Sequence, residues 1–428
     1  MIQAANELML GIDLRKEHAQ VTYYHQAVRE PLTLHAVPGE EQPFLPMALR
    51  MDSSGVWHLW DQKEDAAEEG DRCRITGIYE RIERQEETDA AGEQLSPAKL
   101  LELYFGQCRD LLRFVTSQTR IHVMVTVRNL TEQWSRVITE ALEGIGIERK
   151  YIYVQDYLSS FYYYTVNQKK ELWYQDVALL EYENETMIGY ILHIDRSTRP
   201  ALASVKEIAR QSVSDEVRAG RTDSDWNKEK DRLFFELLKK VFERRTVSVS
   251  YLMSDFYSRD WAERSIQFLC YKRHAYQGQN LYSRGACYAA MERAGLIADR
   301  GILFGGGDMV TVNLGMEMRI RGKETYYPLV TAGVNWYEAH HVCEFIPAGE
   351  REIRIISTPM ASGYPVTHML HLTSLPERPD RTLRLRMTLY FTSVSQCHVE
   401  VEDLGFGGLY KSSGMKWERD IYVDGKRV

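Results

Sequence analysis

Residues 121–164 constrain the fold of this chain more than any other stretch. Ile121, Val123, Val125 and Val127 alternate with His122, Met124, Thr126 and Arg128, and alternation of β-branched residues at a period of two reads as a strand. Thr131 stands where a helix cap belongs, and Trp134, Val137, Ile138, Ala141, Leu142 and Ile145 follow at helical spacing. Gly144 and Gly146 supply the stop. Residues 151–154 form a second short strand, which runs through Gln155 and Asp156 into an aromatic helix over 157–164. Strand–helix–strand–helix is the grammar of an α/β domain, whose ligands sit at the carboxyl ends of the strands. Asp156 falls at such an end.

With 428 residues the chain has length for two or three domains. A net charge of −8 argues against nucleic acid or an anionic membrane as the main partner. No apolar run approaches the ~20 residues of a membrane span. Residues 1–10 contain Asn6 and Glu7 and lack a basic segment, so no signal peptide is expected. The six cysteines are scattered singly, which suits reduced thiols in a cytoplasm and forms no metal or redox motif. His340, His341 and Cys343 lie close together but lack a distant fourth ligand, so no metal is assigned to them.

Residues 8–14 and 20–24 form two extended runs about the turn Arg15-Lys16-Glu17-His18. Two readings of this hairpin stand. Asp13 and the turn bind the phosphates and magnesium water shell of a nucleotide, or the hairpin is an ordinary one with a charged tip. Short strands follow at 44–51 and 56–60. Residues 61–94 are mostly charged about an apolar island at 75–82 and read as an exposed, partly flexible insertion. Ser96-Pro97 opens a helix, with proline at the first position where its missing N–H costs nothing. Residues 177–180 are a strand, and a second strand follows the segment 181–186. Residues 197–243 read as polar and helical, most clearly at 232–242. Residues 247–252 form a strand that Ser254-Asp255 turns into a helix, and 280–294 is a further helix with Gly285-Ala286 permitting close packing. Beyond Gly305-Gly306-Gly307 helices disappear. Leu383, Leu385, Met387, Leu389 and Phe391 alternate with polar residues, and Cys397, Val399 and Val401 repeat the pattern. This is an all-β domain, a sandwich.

In this order the chain resembles the DnaK-type seventy-kilodalton heat-shock chaperones of the actin-like ATPase superfamily. The likeness spans nearly the whole chain. Gly11-Ile12-Asp13-Leu14 looks like the family's first phosphate motif, and 96–164 looks like its helix, strand, helix and "NEPTAAA" segment. Leu180 to Thr186 occupies the place of the second phosphate motif and Tyr251 to Asp255 that of the adenosine turn. Ile302-Leu303-Phe304 resembles the interdomain linker, and Asn313 to Glu317 resembles the opening of the peptide-binding domain. The resemblance implies an α/β actin/heat-shock-chaperone-like ATPase fold with ribonuclease H-like repeats, followed by an all-β sandwich. The boundaries expected are 1–300 for the nucleotide-binding-type domain (halves about 1–170 and 171–300), 301–307 for a linker and 308–428 for the sandwich. Gly305-Gly306-Gly307 competes with Ser254-Asp255 for the adenosine turn.

The departures from the family pattern fall on its chemistry. Arg15 replaces a glycine, Glu181-Tyr182-Glu183-Asn184-Glu185-Thr186 replaces a triple-glycine loop, and Ser254-Asp255 replace paired glycines. Phosphoryl transfer depends on positioned backbone donors and metal. The resemblance therefore implies a degenerate cleft of Asp13, Arg15, Lys16, Asp156, Glu181, Thr186, Ser254 and Asp255, with no catalytic or metal-binding residue assigned. The expected function is chaperone-like binding of a protein or peptide without ATP hydrolysis and without a cofactor. The alternative is an active or weakly active ATPase taking Mg-ATP or ADP, and a third reading is a purely structural protein. Within the sandwich, Tyr326, Tyr327, Trp336 and Tyr337 are candidates for either a peptide groove or the core.

Overall fold

The computed structural model describes residues 7–25, 28–35, 43–61, 70–113, 120–197, 199–254, 256–278, 280–298, 300–307, 309–347, 351–360, 364–379 and 381–423. The chain divides into two units, Met1–Ile302 and Leu303–Val428.

The first unit contains two large mixed sheets. Strands β1 (Glu7–Leu14), β2 (His18–His25) and β3 (Glu30–Thr33) form an antiparallel meander. Helix α1 (Pro97–Leu112), β4 (Arg120–Val127), α2 (Glu132–Gly144), β5 (Ile152–Asp156) and α3 (Tyr157–Val166) follow. Strands β4 and β5 add in parallel beside β1, giving the order β5-β4-β1-β2-β3. The helix starts are capped locally. Ser96 Oγ accepts from Lys99 N at 3.2 Å and Thr131 Oγ1 from Trp134 N at 3.2 Å.

The second sheet repeats this plan. Strands β6 (Asp176–Glu183), β7 (Thr186–Asp195) and β8 (Ala201–Ser212) form the meander. Helix α4 (Asp223–Phe242), β9 (Val247–Met253), α5 (Glu263–Cys270), β10 (His274–Gln277) and α6 (Leu281–Arg293) follow. The order is β10-β9-β6-β7-β8, with the short strand β11 (Ile302–Phe304) added beside β8. Both halves thus run strand, strand, strand, helix, strand, helix, strand, helix, with the first strand central. The central strand β1 is buried at seven of its eight residues and β6 through the run 177–181, as expected for strands covered on both faces.

Three sequence expectations change here. The stretch 61–94 is not simply an exposed insertion: Ile78–Glu83 is a helix that buries Ile78, Tyr79 and Ile82, and the Tyr79 ring lies 4.8 Å from Trp134. Its apolar island is one face of that helix. Residues 62–69 lie outside the described residues. The region 197–243 is not uniformly helical, because β8 occupies Ala201–Ser212. Its apolar positions are diluted by Lys206, Glu207 and Arg210, so the period of two is weak, and pairing with β7 (Ile191 opposite Lys206) determines the outcome. The span 301–307 expected as a linker contains β11, and Gly305-Gly306-Gly307 is followed by strand rather than helix. Asp308 lies outside the described residues.

The second unit is two four-stranded antiparallel sheets. One has the order β13-β12-β15-β16, built from β12 (Val312–Ile320), β13 (Lys323–Val330), β15 (Glu352–Pro359) and β16 (Val366–His371). The other has the order β14-β17-β18-β19, built from β14 (His340–Phe345), β17 (Arg384–Ser393), β18 (Gln396–Gly405) and β19 (Lys416–Tyr422). Leu385, Met387, Leu389, Phe391, Cys397, Val399 and Val401 all enter one core, as their alternation requires. Trp336 and Tyr327 pack against that core, whereas Tyr326 is exposed and lies across Gly315. Among the described residues no helix is long and apolar enough to cross a membrane, and no cluster of His, Cys, Asp or Glu suits a metal ion.

Candidate functional site

The carboxyl ends of β1, β4 and β6 meet between the two sheets. The side chains there close on one another. Asp13, fully buried at the end of β1, accepts Nε of Arg15 at 2.9 Å, and Nη2 of Arg15 stands 2.8 Å from the same carboxylate oxygen as an ion pair. The Arg15 guanidinium lies 5.9 Å from the Tyr157 ring centroid and 5.7 Å from that of Tyr282. Those two rings stack at 4.2 Å and 20°. Arg128, just past β4, lies 5.1 Å from the Tyr157 ring, donates to Glu181 at 3.3 Å and forms an ion pair with Glu183 at 2.8 Å. The Tyr282 hydroxyl donates to the other oxygen of Glu181, and the Tyr257 hydroxyl donates to the Glu181 carbonyl at 2.7 Å. The Tyr157 hydroxyl donates to the Leu14 carbonyl at 3.2 Å.

The electrostatics favour this closed arrangement. Burial opposes the charge on Arg15 and Arg128, but Asp13 beside the first and Glu181 beside the second outweigh it, so both pKa values rise. Burial likewise pushes the hydroxyls of Tyr157, Tyr282 and Tyr257 well above their ordinary range, which keeps them protonated donors. Burial raises Glu183, with Arg128 pulling the other way. Three carboxylates therefore face two guanidinium groups. At 4 Å and intermediate dielectric each unlike pair is worth about 4 kcal/mol, and no surplus positive charge is left for a polyphosphate.

The expected site residues divide. Asp13, Arg15 and Glu181 belong to the network. Lys16 is exposed nearby, close enough for its charge to pull on Glu183. Thr186 turns away, its hydroxyl donating to Asn184 O at 3.3 Å. The segment read as a phosphate loop is a tight hairpin: Glu183 pairs with Thr186 across Asn184 and Glu185, whose φ values are 45° and 56°. Two central residues with positive φ match the twist of the flanking strands. Ser254 serves its own turn, accepting Phe256 N at 3.0 Å. Asp255 lies outside the described residues. Asp156 caps α3, its Oδ1 accepting Ser159 N at 2.7 Å, and burial raises its pKa.

Asp156 yields a prediction with a definite sign. A carboxyl raised in the folded state holds more protons folded than unfolded, so its contribution to stability falls as pH rises through the folded pKa. Asp156→Asn keeps an equally good cap and removes the buried charge. The melting temperature of the variant relative to the parent will therefore increase from pH 4 to pH 8. A relative loss over that range would contradict the assignment.

Sequence reasoning missed Arg128, Tyr157, Tyr257 and Tyr282. Arg128 had a signal, since it follows Val127, the last residue of β4, which pairs with Asp156 at the end of β5. The tyrosines had none, because Tyr282 meets Glu181 across 101 residues. Close glycine contacts, which phosphate loops would use, serve helix packing instead. A Cβ on Gly11 would stand 2.1 Å from Ser283 O, and one on Gly285 would stand 2.0 Å from Ser160 O.

Residues 30–305 match the profile of a family described as a family of unknown function, DUF5716, in its C-terminal part. Residues 309–423 match a domain of unknown function, DUF8552. No curated protein matches the chain.

Proposed function

The chain belongs to the DUF5716 family of unknown function, and we propose that it is a non-hydrolysing protein of the actin-like, heat-shock-chaperone-like type that acts by binding a protein or peptide. The observation that carries this reading is the cleft network: side chains of the protein fill the space at the carboxyl ends of β1, β4 and β6, where the resemblance to the chaperone family implies phosphates. The repeated strand and helix order of the two halves supports the fold assignment. Fold by itself licenses no activity, so the weight rests on the site. The competing reading of an active ATPase leans on Asp13, Asp156 and Thr186, whose hydroxyl donates to Asn184 O. One carboxylate is committed to Arg15 and the other to the start of α3.

The test is the melting temperature of the full chain with millimolar Mg·ATP, Mg·ADP, or ATP with EDTA. A ligand at ~100 times its dissociation constant stabilises the native state by about 2.7 kcal/mol, enough to raise melting by a few degrees. No shift is expected with any of the three. A magnesium-dependent rise would overturn the closed cleft and make hydrolysis the next assay.

The binding half of the proposal concerns the second unit, where Tyr326 is exposed on the edge strand β13. An extended peptide is held by main-chain hydrogen bonds with pockets for alternate side chains. The full chain is expected to bind a fluorescein-labelled unfolded apolar peptide saturably in anisotropy titrations. Flat titrations to high micromolar protein would remove the chaperone-like reading.

A further inference from the structure

At the end of the first unit opposite the cleft, two helix-to-strand turns lie side by side. Helix α4 leads into β9 and α5 into β10, and β9 and β10 are parallel neighbours with Val249 beside His274. The cleft lies at the other end of these strands, where Glu181 pairs with Met253. The two turns gather Lys239, Lys240, Arg244, Arg245, Lys272 and Arg273. Among the described residues none of the six forms an ion pair.

Part of this charge has a local use. Arg273 donates to the Phe268 and Tyr271 carbonyls at 3.2 Å each, and Arg245 donates to the Val241 and Glu243 carbonyls at 3.3 and 3.1 Å. These arginines close the carboxyl ends of α5 and α4. Two helix ends carry only about −0.5 each. The carboxylates beside them are Glu243, on the same turn, Glu236, one helical turn before Lys239 and Lys240 and already holding Arg232 at 2.5 Å, and Asp176, beside Val247 in register and already holding His193 at 2.7 Å. Six positive charges against about four negative leave a surplus of roughly two. Arg273 shows the imbalance directly. Its guanidinium lies 4.6 Å from the Phe242 ring centroid and 4.8 Å from that of Phe268. Burial there lowers its pKa, with no carboxylate to raise it as Glu181 raises Arg128. Tyr271, 65% exposed, stands over the same turn with Lys272 Nζ 5.4 Å from its ring centroid.

We propose that this basic corner, formed by the turns before β9 and β10, is a docking surface for an extended acidic peptide segment of a protein partner. The occupant follows from size and charge. Neighbouring strands lie ~4.8 Å apart, so two adjacent turns and a last helical turn match a few extended residues at ~3.3 Å each. A nucleic acid or anionic bilayer extends beyond the corner and meets a molecule of net charge −8. A short run of aspartate and glutamate ends where the positive charge ends, and an apolar residue within it gains the Tyr271 ring. The surface is independent of the nucleotide question, because no cleft residue takes part.

The experiment titrates the full chain, at 50 mM salt, into fluorescein-labelled octaglutamate, a labelled 20-nucleotide single strand, and phosphatidylserine vesicles. Saturable octaglutamate binding is expected, weakened at least tenfold by Lys240→Glu with Arg244→Glu and separately by Lys272→Glu. All three positions are exposed, and unchanged melting temperatures will confirm folding. Lys323→Glu, in the second unit, makes the same change in charge as Lys272→Glu and should leave binding within twofold. Absence of saturable octaglutamate binding overturns the proposal. So does an equal loss in Lys323→Glu, or tighter binding of the single strand or vesicles that depends on the same lysines and arginine.

Discussion

Alanine at Gly285 is expected to destabilise the protein by about 2–4 kcal/mol, against the usual sign for a glycine inside a helix. Gly285 lies in the interior of α6, where alanine ordinarily gains roughly 0.5–1 kcal/mol by lowering the entropy lost on folding. Here the added Cβ meets Ser160 O at 2.0 Å and Ser160 C at 2.7 Å. These are backbone atoms of α3 and cannot rotate away, so the two helices must separate. Gly285 follows Tyr282 by one turn of α6, and Ser160 follows Tyr157 by one turn of α3. Separation therefore also parts the stacked tyrosines and loosens Arg15 and Glu181. Urea unfolding measures the stability change, and near-ultraviolet circular dichroism reports the tyrosine pair. Gly106 is the control. It lies in α1, where an added Cβ would meet nothing within 4 Å, so alanine there should stabilise by about 0.5–1 kcal/mol. If both substitutions stabilise, the close α3–α6 contact is wrong.

The second large effect is expected at Asp403, in the β-sandwich. Its carboxylate is fully buried and receives Arg378 at 3.1 and 2.8 Å, Gly405 N at 2.7 Å and Ser413 N at 2.8 Å. Arg378 also donates to the Lys411 carbonyl at 2.8 Å. One side chain thus ties the turn before β17 to the loop between β18 and β19. Asp403→Ala leaves Arg378 largely buried without its counter-charge and should cost about 3–5 kcal/mol. Burial alone would raise the Asp403 pKa, but the Ser413 and Gly405 donors and Arg378 outweigh it and hold it at about 2. A depressed carboxyl contributes stability above its unfolded pKa and loses it as pH falls toward the folded one. Against an ordinary value near 3.9, the loss between pH 4 and pH 2 is about 2 kcal/mol. Acid titration of urea stability should show that slope in the parent protein and lack it in Asp403→Ala. A variant as stable as the parent at pH 7 would refute the tie.

Much of the architecture is readable along the chain, because its causes lie within a few residues. Ser96 and Thr131 cap the helices that their spacing suggests. The alternation at 121–127 becomes β4, and the alternations at 383–391 and 397–401 become β17 and β18. Asp13 and Asp156 stand at strand ends because strand limits are local. The tertiary structure alone decided what those ends do. Arg15 and Glu181 read as damage to phosphate loops, yet they are members of a closed network with Arg128, Tyr157 and Tyr282. Strand β8 exists because β7 offers it a register, despite its charged residues. Asp403 finds Arg378 across 25 residues. Periodicity and caps act over one turn or one strand. The partners of a buried charge are chosen by which strands pair and how closely helices pack, and that information is spread over the whole chain.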